Sequence, residues 1–293
     1  MGSLPLSSEL VGLDLPETTW SWGWRDAVLY ALGIGARPGD GALVDAEESE
    51  GDLDFIYERR GPKVYPTIAV IPGMTALGGV SAVVDLNVAR LLHGEQSITL
   101  HRPFPANGEV TVKGRIVDVW DKGKAAVIGV ESELVDDDGL VATTYASLFA
   151  KGYGDFGGER GPDTGDIHVP PDREPDHIVE DVVRPEQAAL YRLSGDRVFL
   201  HVDPDFARSS GYAGPFLHGL CTYGFAGRAV LSSLCGNEPQ RLKTMTGRFA
   251  DLVWMNDHII TKIWEVGGGE AIFRSETQNG AVVLSHAHAT YTS

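Results

Sequence analysis

An aspartate and a histidine five residues apart carry the clearest chemical signal in this sequence. Asp196 and His201 lie in the segment Tyr191–Pro204, where Gly195 begins a loop-like stretch. A carboxylate and an imidazole that hold the same water molecule can move its protons, because an imidazole titrates near neutral pH. The spacing alone is common in a chain with nine histidines. The alternative is an aspartate that caps a helix and a hydrogen-bonded core histidine.

A glycine at the start of an apolar helix could supply a second part of such a site. The segment Phe216–Gly219 begins a helix of small and apolar residues that runs to about Leu234. The N–H groups at a helix start have no partner within the helix and lie at the positive end of its dipole. The Gly219 N–H could therefore stabilise an oxyanion by roughly 3 kcal/mol. The small residues would equally allow close helix–sheet packing, and the two roles are compatible.

Composition excludes several classes of protein. The chain has 293 residues, of which 43% are hydrophobic, enough for one large domain or two small ones. The net charge of -17 argues against a nucleic-acid partner, which requires a basic surface. The two cysteines, Cys221 and Cys235, fit a reducing compartment. Because the first residues lack the pattern of a secretory signal, we expect a cytoplasmic location.

One uncharged segment, Val64–Val84, is long enough to suggest a membrane span. Pro66, Pro72 and several glycines interrupt it, and it is only moderately apolar. We therefore expect a buried strand, turn and helix in this segment, and no membrane partner.

The chain reads as two similar halves, each with an apolar helix followed by strand-like runs with Gly-, Asn- and Asp-rich turns. A short amphipathic helix is predicted at Trp24–Gly33. The predicted strands are 98–101, 109–120, 124–134 and 140–150 in the first half, and 242–249, 258–266, 270–278 and 281–292 in the second. We place an N-terminal repeat at 1–151, a linker rich in Gly, Pro and Asp at 152–177, and a C-terminal repeat at 178–293. The pattern predicts an α+β fold with an internal duplication.

The sequence also resembles a known family. Tyr191–Pro204 and Pro215–Gly224 are similar to the signature of the MaoC-like, type 2 enoyl-CoA hydratases, the (R)-specific enzymes of β-oxidation. Further similar segments, in the family's order, are Asp54–Glu58, Tyr65–Thr67, Leu92–Gln96, Asp121–Gly123 and Phe156–Gly158. The resemblance runs from about Trp20 to the C-terminus. It implies a double hot-dog fold, in which two helices are each wrapped by a curved antiparallel sheet.

The resemblance also implies roles for four residues, position by position. Asp196 and His201 match the hydratase dyad. Gly219 matches the oxyanion N–H donor, and Glu58 matches a first-half carboxylate that assists catalysis.

Five further residues are expected to contact the substrate. The family has Asn and Pro where this chain has Val198 and Phe199. Because that Asn is expected to help position the dyad, the change predicts either reduced activity or a pocket reshaped for an unusual or bulky acyl group. His218 stands at the start of the apolar helix. His93 and Gly94 fit substrate contact and a turn closing the first helix equally well.

The implied reaction is hydration of a trans-2-enoyl-CoA to a (3R)-hydroxyacyl-CoA, and its reversal, in fatty-acid or sterol side-chain β-oxidation. Only the second half carries the dyad, so loss of an ancestral site would make room for a long or bulky acyl group. We expect no metal and no cofactor, since CoA is part of the substrate, and a homodimer, since hot-dog sheets often pair edge to edge. The alternatives are a 3-hydroxyacyl-thioester dehydratase of fatty-acid or polyketide synthesis, a non-catalytic thioester-binding protein and, less well matched, a hot-dog thioesterase.

Overall fold

Ten antiparallel strands form one continuous sheet in the computed structural model, which describes residues 4–39, 51–87, 90–163, 165 and 167–292. In chain order they are β1 (Thr18–Trp22), β2 (Leu91–Leu100), β3 (Gly108–Asp121), β4 (Ala125–Asp136), β5 (Gly139–Lys151), β6 (His177–Val182), β7 (Leu242–Phe249), β8 (His258–Gly267), β9 (Glu270–Thr277) and β10 (Val282–Tyr291). Their order across the sheet is β1-β3-β4-β5-β2-β7-β10-β9-β8-β6. Read inward from either edge, the two groups of strands have the same order, so the fold is an internal duplication.

Each repeat wraps its sheet around one core helix. The helices are α1 (Trp24–Gly33), α2 (Leu53–Ile56), α3 (Val70–Val83), α4 (Gln187–Tyr191), α5 (Pro204–Ser209) and α6 (Gly219–Cys235). Helix α3 packs against β3, β4 and β5, and α6 packs against β7, β8 and β10. This arrangement confirms the α+β double hot-dog fold that the sequence predicts.

The two repeats join where β2 pairs with β7. The paired residues run from Thr99 opposite Thr244 to Glu95 opposite Arg248. Beyond Glu95, β2 continues to Leu91 and pairs only with β5. The seam between the repeats therefore opens at this end, which is where the candidate site lies.

The sequence predicts most elements within a few residues, and the differences have physical reasons. The segment 66–83 is helical throughout, where a strand, turn and helix were expected, because a segment that is apolar on all sides has no period that separates helix from strand. Its 18 residues have a mean hydropathy of 1.5, enough for a membrane span by length and composition, but the helix packs under the sheet of the first repeat. His93 and Gly94 lie inside β2, so of the two alternatives for this segment the turn closing the first helix is wrong. The edge strands β1 and β6 were not predicted.

The predicted linker lies across the outer face of the sheet, which we define as the face away from α3 and α6. Gly161 lies against the Trp120 indole, and the ring of His168 stacks on that of His288. Both Trp120 and His288 alternate with inward-facing residues of their strands. The linker is thus packed on the sheet rather than extended away from it.

Candidate active site

Three ionisable side chains of the second repeat meet at the start of α6. They are Asp196, His201 and His218, and one carboxylate oxygen or ring nitrogen from each lies within 4.8 Å of the others. Asp196 follows Gly195, whose φ of 145° favours glycine. His201 ends a short 3-10 turn that begins at Phe199. The structure therefore brings the two residues of the predicted dyad together and adds a second histidine.

The hydrogen bonding of His201 decides which ring nitrogen faces the site. Its Nδ1 lies 2.9 Å from the carbonyl oxygen of Phe216. A carbonyl oxygen can only accept a hydrogen bond, so Nδ1 carries the proton and donates it. Burial lowers the pKa of His201, against the opposing effects of this hydrogen bond and of Asp196. The ring is therefore neutral near pH 7, and its Nε2 has a lone pair that can accept a proton.

Asp196 is buried beside this imidazole, and the pKa of its carboxyl group is raised. Burial raises the pKa of its carboxyl group, while the charge of His201 and the N–H of Val198 oppose the rise. The Val198 N–H donates to Oδ1 over 3.3 Å. A carboxyl group with a raised pKa can exchange protons more readily near neutral pH than an ordinary surface carboxylate.

His218 supports both members of the dyad. Its Nε2 donates to the backbone carbonyl of Asp196 over 3.2 Å. Its ring stacks on that of His201, with centroids 3.8 Å apart and planes 30° apart. Burial lowers the pKa of His218 to about 2, so the ring remains neutral. We expected substrate contact from the sequence, and the structure places this side chain fully buried against the dyad.

These three residues also form a possible group of metal ligands by distance, which the sequence did not lead us to expect. Ring nitrogens bind a metal along lone pairs that lie in the ring plane. The rings of His201 and His218 are stacked, with centroids 3.8 Å apart and planes 30° apart, so their lone pairs lie in two separate and nearly parallel planes. Two such rings do not converge on one ion, so we interpret the group as a proton-transfer cluster.

Gly219 begins α6 immediately after this cluster. Within the described part of the chain, no hydrogen-bond acceptor is found for its N–H. A Cβ at this position would lie 3.2 Å from the ring of Phe249. That ring in turn packs edge-on against His93, with centroids 5.0 Å apart. A larger residue would therefore have to displace the Phe249 ring or the start of α6, and the Gly219 N–H is available at the positive end of the helix.

A cavity of about 560 Å³ opens where β2 and β7 diverge. Phe249, whose ring packs against Gly219, lines this cavity with His93 and Gly94. Lys122, which follows the end of β3, also lines it. Phe249 was not identified from the sequence, because no local pattern links the end of β7 to β2. Lys122 could have been identified, since it lies in a segment that resembles the family.

Two polar pairs face the same cavity. The hydroxyl of Tyr145 donates to a carboxylate oxygen of Asp118 over 2.9 Å. Arg248 and Glu95 face each other across the seam, with 3.5 Å between a guanidinium nitrogen and a carboxylate oxygen. The cavity therefore combines aromatic walls with hydrogen-bonding groups, as ligand sites usually do.

Comparison with known proteins gives matches over nearly the whole chain. A model described as the MFE-2 hydratase 2 N-terminal domain matches residues 20–152, and one described as a MaoC like domain matches residues 166–289. A 3-hydroxyacyl-thioester dehydratase Y from Mycobacterium tuberculosis is 41% identical over 91% of this chain and 90% of its own length. The chain belongs to the MaoC-like hydratase and dehydratase family.

Two further proteins, one of them a solved structure, are similar to this chain over most of its length. The peroxisomal enoyl-CoA hydratase 2 of Arabidopsis thaliana is 35% identical over 89% of this chain and 87% of its own length. The crystal structure of a MaoC-like dehydratase from Phytophthora capsici superposes with a TM-score of 0.84, at 31% identity, and covers 98% of both chains.

The MaoC-like repeats show why the dyad occurs once. Gly35 and Gly195 follow corresponding helices, both have positive φ, and each packs against the core helix of the other repeat. Ala36 therefore occupies in the first repeat the position of Asp196 in the second. Its methyl group cannot exchange protons, so the first repeat lacks the acid.

Next to Ala36, the N–H of Arg37 donates to the carboxylate of Asp52 over 3.0 Å, and buried ion pairs surround this carboxylate. Arg228 of α6 binds Asp52 over 3.0 Å and makes a second, close ion pair with Asp181 of β6. The hydroxyl of Tyr65 donates to Asp52 over 2.7 Å. In the described residues, the place of the missing site is thus filled by ionic side chains, and the expected room for a larger acyl group is not found there.

The side chains of Glu58, Val198 and Phe199 make no hydrogen bond to the dyad among the residues described. Glu58 is exposed in a 3-10 turn, and no hydrogen bond that the structure describes joins it to Asp196 or His201. Val198 and Phe199 are 49% and 61% exposed. Because Val198 binds the aspartate through its backbone N–H, a change of its side chain leaves that hydrogen bond in place.

Proposed function

We propose that this protein hydrates trans-2-enoyl-CoA thioesters to (3R)-hydroxyacyl-CoA and catalyses the reverse dehydration. The observation that supports this most directly is that Asp196 and His201 converge next to the N–H of Gly219, for which the described residues offer no acceptor. The Nε2 of His201 is left to accept a proton, because Nδ1 donates to Phe216. Water addition to a conjugated thioester requires a group that accepts a proton, a group that returns one and a donor for the thioester oxygen. These three requirements are met by adjacent groups.

In the proposed mechanism, a water molecule binds between Asp196 and His201. Nε2 of His201 accepts one proton from it as the oxygen attacks C3, and charge develops on the thioester oxygen at the Gly219 N–H. The carboxyl group of Asp196 supplies a proton to C2 and is reprotonated by the imidazolium. The pair ends in its starting protonation state, and one water molecule has been added across the C2–C3 double bond.

The cavity at the seam is our proposed site for the CoA half of the substrate. When the thioester carbonyl oxygen accepts from the Gly219 N–H and C3 of the acyl group lies at the dyad, the thioester sulfur points away from the dyad. Phe249 contacts Gly219 and also lines the cavity, so we place the path of the thioester from Gly219 to the cavity beside this ring. Its polar pairs suit the amides of pantetheine, and Lys122 suits a phosphate. A volume of about 560 Å³ is typical of ligand pockets.

We further propose that the acyl chain is long or bulky and lies on the opposite side, along α3. The dyad loop contacts this helix directly, since a Cβ on Gly195 would lie 3.2 Å from Ile71. Met74, one turn further along α3, is only partly buried and packs against the core. A flexible thioether adapts to apolar groups of different shape, which supports a broad acyl pocket.

The test is an absorbance assay for loss of the enoyl thioester, over straight, branched and sterol-derived CoA substrates. We expect Asp196→Asn to lower kcat by about 10²–10⁴-fold, the usual contribution of a general acid or base. The matched control is Asp203→Asn, which changes a nearby aspartate that caps α5. Absence of turnover with every substrate would favour the non-catalytic alternative, and strict preference for crotonyl-CoA would exclude a bulky acyl group.

A second candidate is dehydration of a 3-hydroxyacyl thioester on a carrier protein, which the name of the M. tuberculosis relative favours. The chemistry is the reverse of hydration at the same residues. Assays with one acyl group on CoA and on an acyl carrier protein separate the two functions, because the preferred carrier has the higher kcat/KM. We propose in addition that the enzyme acts as a cytoplasmic homodimer without a metal or cofactor, which fractionation, sedimentation and elemental analysis would test.

A further inference from the structure

The segment 152–163, which we name the strap, crosses from the end of β5 onto the outer face of the sheet. It approaches other backbone and ring atoms so closely that glycine is required twice. A Cβ on Gly154 would collide with the carbonyl oxygen of Gly123, and a Cβ on Gly161 would lie 2.6 Å from the Trp120 indole. The strap is therefore fitted to the end of β3 and to the β3–β4 turn.

One carboxylate binds the strap along its length. Asp121 accepts hydrogen bonds from the N–H groups of Gly123 (2.8 Å), Asp155 (3.0 Å) and Gly157 (2.9 Å). Its own N–H donates to the carbonyl of Glu159 over 2.7 Å. Asp155 and Gly157 have φ values of 60° and 81°, which curve the backbone around the carboxylate as backbone nests curve around a bound anion. Hydrogen bonds, that from Gly123 first, lower the pKa of Asp121.

The end of the strap contributes one residue to the wall of the cavity at the seam. Pro162 lines this cavity beside Trp120, and so does Lys122, the residue after Asp121. Asp121 thus holds both the part of the strap that leads to Pro162 and the turn that contains Lys122. The dyad contributes no hydrogen bond to this network among the residues described.

We propose that the strap is part of the binding site for the CoA half of the substrate and that Asp121 is its positioning residue. This rests on the proposed function, because the cavity is the CoA site only if the thioester lies at Gly219. Asp121 does not touch the reacting atoms. Its effect is expected on the binding of CoA and not on the chemical step.

The experiment compares Asp121→Asn with the wild-type enzyme on two thioesters of the same acyl group. An amide has one acceptor oxygen and presents an NH₂ group to the strap N–H groups, so at least one hydrogen bond is lost. We expect KM for crotonyl-CoA to rise about tenfold, equivalent to ~1.4 kcal/mol of binding, with kcat unchanged. S-crotonyl-N-acetylcysteamine lacks the nucleotide and most of the pantetheine, so its kcat/KM should not change.

The matched control is Asp136→Asn. Asp136 closes the β4–β5 turn, accepts the N–H of Asp138 over 2.8 Å and binds Arg102 over 2.6 Å. The substitution is the same, and hydrogen bonds of the same kind are lost away from the cavity. It is expected to lower stability and to leave both KM values unchanged.

Hydrogen exchange gives an independent readout in the wild-type protein. Free CoA should slow exchange at the amides of Asp155 and Gly157, whether or not any thioester is hydrated. If no thioester is turned over, the proposed function fails, and this protection still tests the strap. If turnover occurs without protection by CoA, the strap proposal fails and the proposed function stands.

Two kinetic results would overturn the proposal. One is an unchanged KM for crotonyl-CoA in Asp121→Asn while its strap amides exchange freely. The other is an equal loss of kcat on both thioesters, which would indicate a role in folding or chemistry. If Asp121→Asn does not fold, Pro162→Glu replaces it, because it keeps the Asp121 hydrogen bonds and places a negative charge in the cavity. A raised KM for crotonyl-CoA alone supports the proposal, and no change refutes it.

Discussion

Replacement of Gly219 by alanine separates catalysis from stability at this site. The new Cβ would lie 3.2, 3.3 and 3.5 Å from three ring carbons of Phe249. Carbon atoms pack best at about 3.5–4.0 Å, so either the ring or the start of α6 has to move by roughly half an ångström. Alanine is a better helix former than glycine, so the helix itself is not weakened.

The expected result for Gly219→Ala is a lower kcat in a folded protein. A backbone oxyanion donor contributes roughly 3 kcal/mol, and misplacing it loses part of this, so we expect kcat to fall about 10–100-fold. Initial rates with crotonyl-CoA measure the loss, and urea unfolding measures stability. Gly214→Ala is the control, because its Cβ would meet no atom within 4 Å. A wild-type kcat in Gly219→Ala would refute the assignment of this N–H as the oxyanion donor.

Three further predictions concern pH and stability. His201 must be neutral to accept a proton, and burial lowers its pKa. We therefore expect kcat/KM to fall in acid only below the usual titration range of histidine. A pH profile whose acid limb lies at or above about pH 6.5 would contradict the mechanism. A neighbouring arginine lowers the folded-state pKa of Asp136, so this carboxylate stabilises the fold above its unfolded pKa and loses that effect as pH falls. The free energy of unfolding in urea should therefore be lower for Asp136→Asn than for the wild type at pH 7. The two values should converge in acid. Arg228→Met removes the guanidinium that pairs with the buried carboxylates of Asp52 and Asp181. The free energy of unfolding should therefore fall by about 3–5 kcal/mol. A change below about 1 kcal/mol would show that the fold does not depend on these ion pairs.

Local sequence patterns were sufficient where neighbouring residues decide the structure. The Gly- and Asn-rich turns predicted the four strands that follow α6, β7 to β10, to within one residue at each end. Trp24–Gly33 was predicted as a helix from its periodicity alone. The same reasoning did not predict that segment 66–83 is helical throughout. Burial on all sides removes the alternation of apolar and polar residues on which such predictions depend.

The amino-acid sequence by itself determined the duplicated fold, the family resemblance and the pair Asp196 and His201, since each is carried by short segments read in order. The tertiary structure decided what surrounds that pair. The stacking of His218, the contact of Phe249 with Gly219 and the opening of the seam join segments that are distant in the chain. Such contacts depend on how β2 and β7 pair and where they diverge, and no periodicity within either strand encodes the point at which that pairing ends.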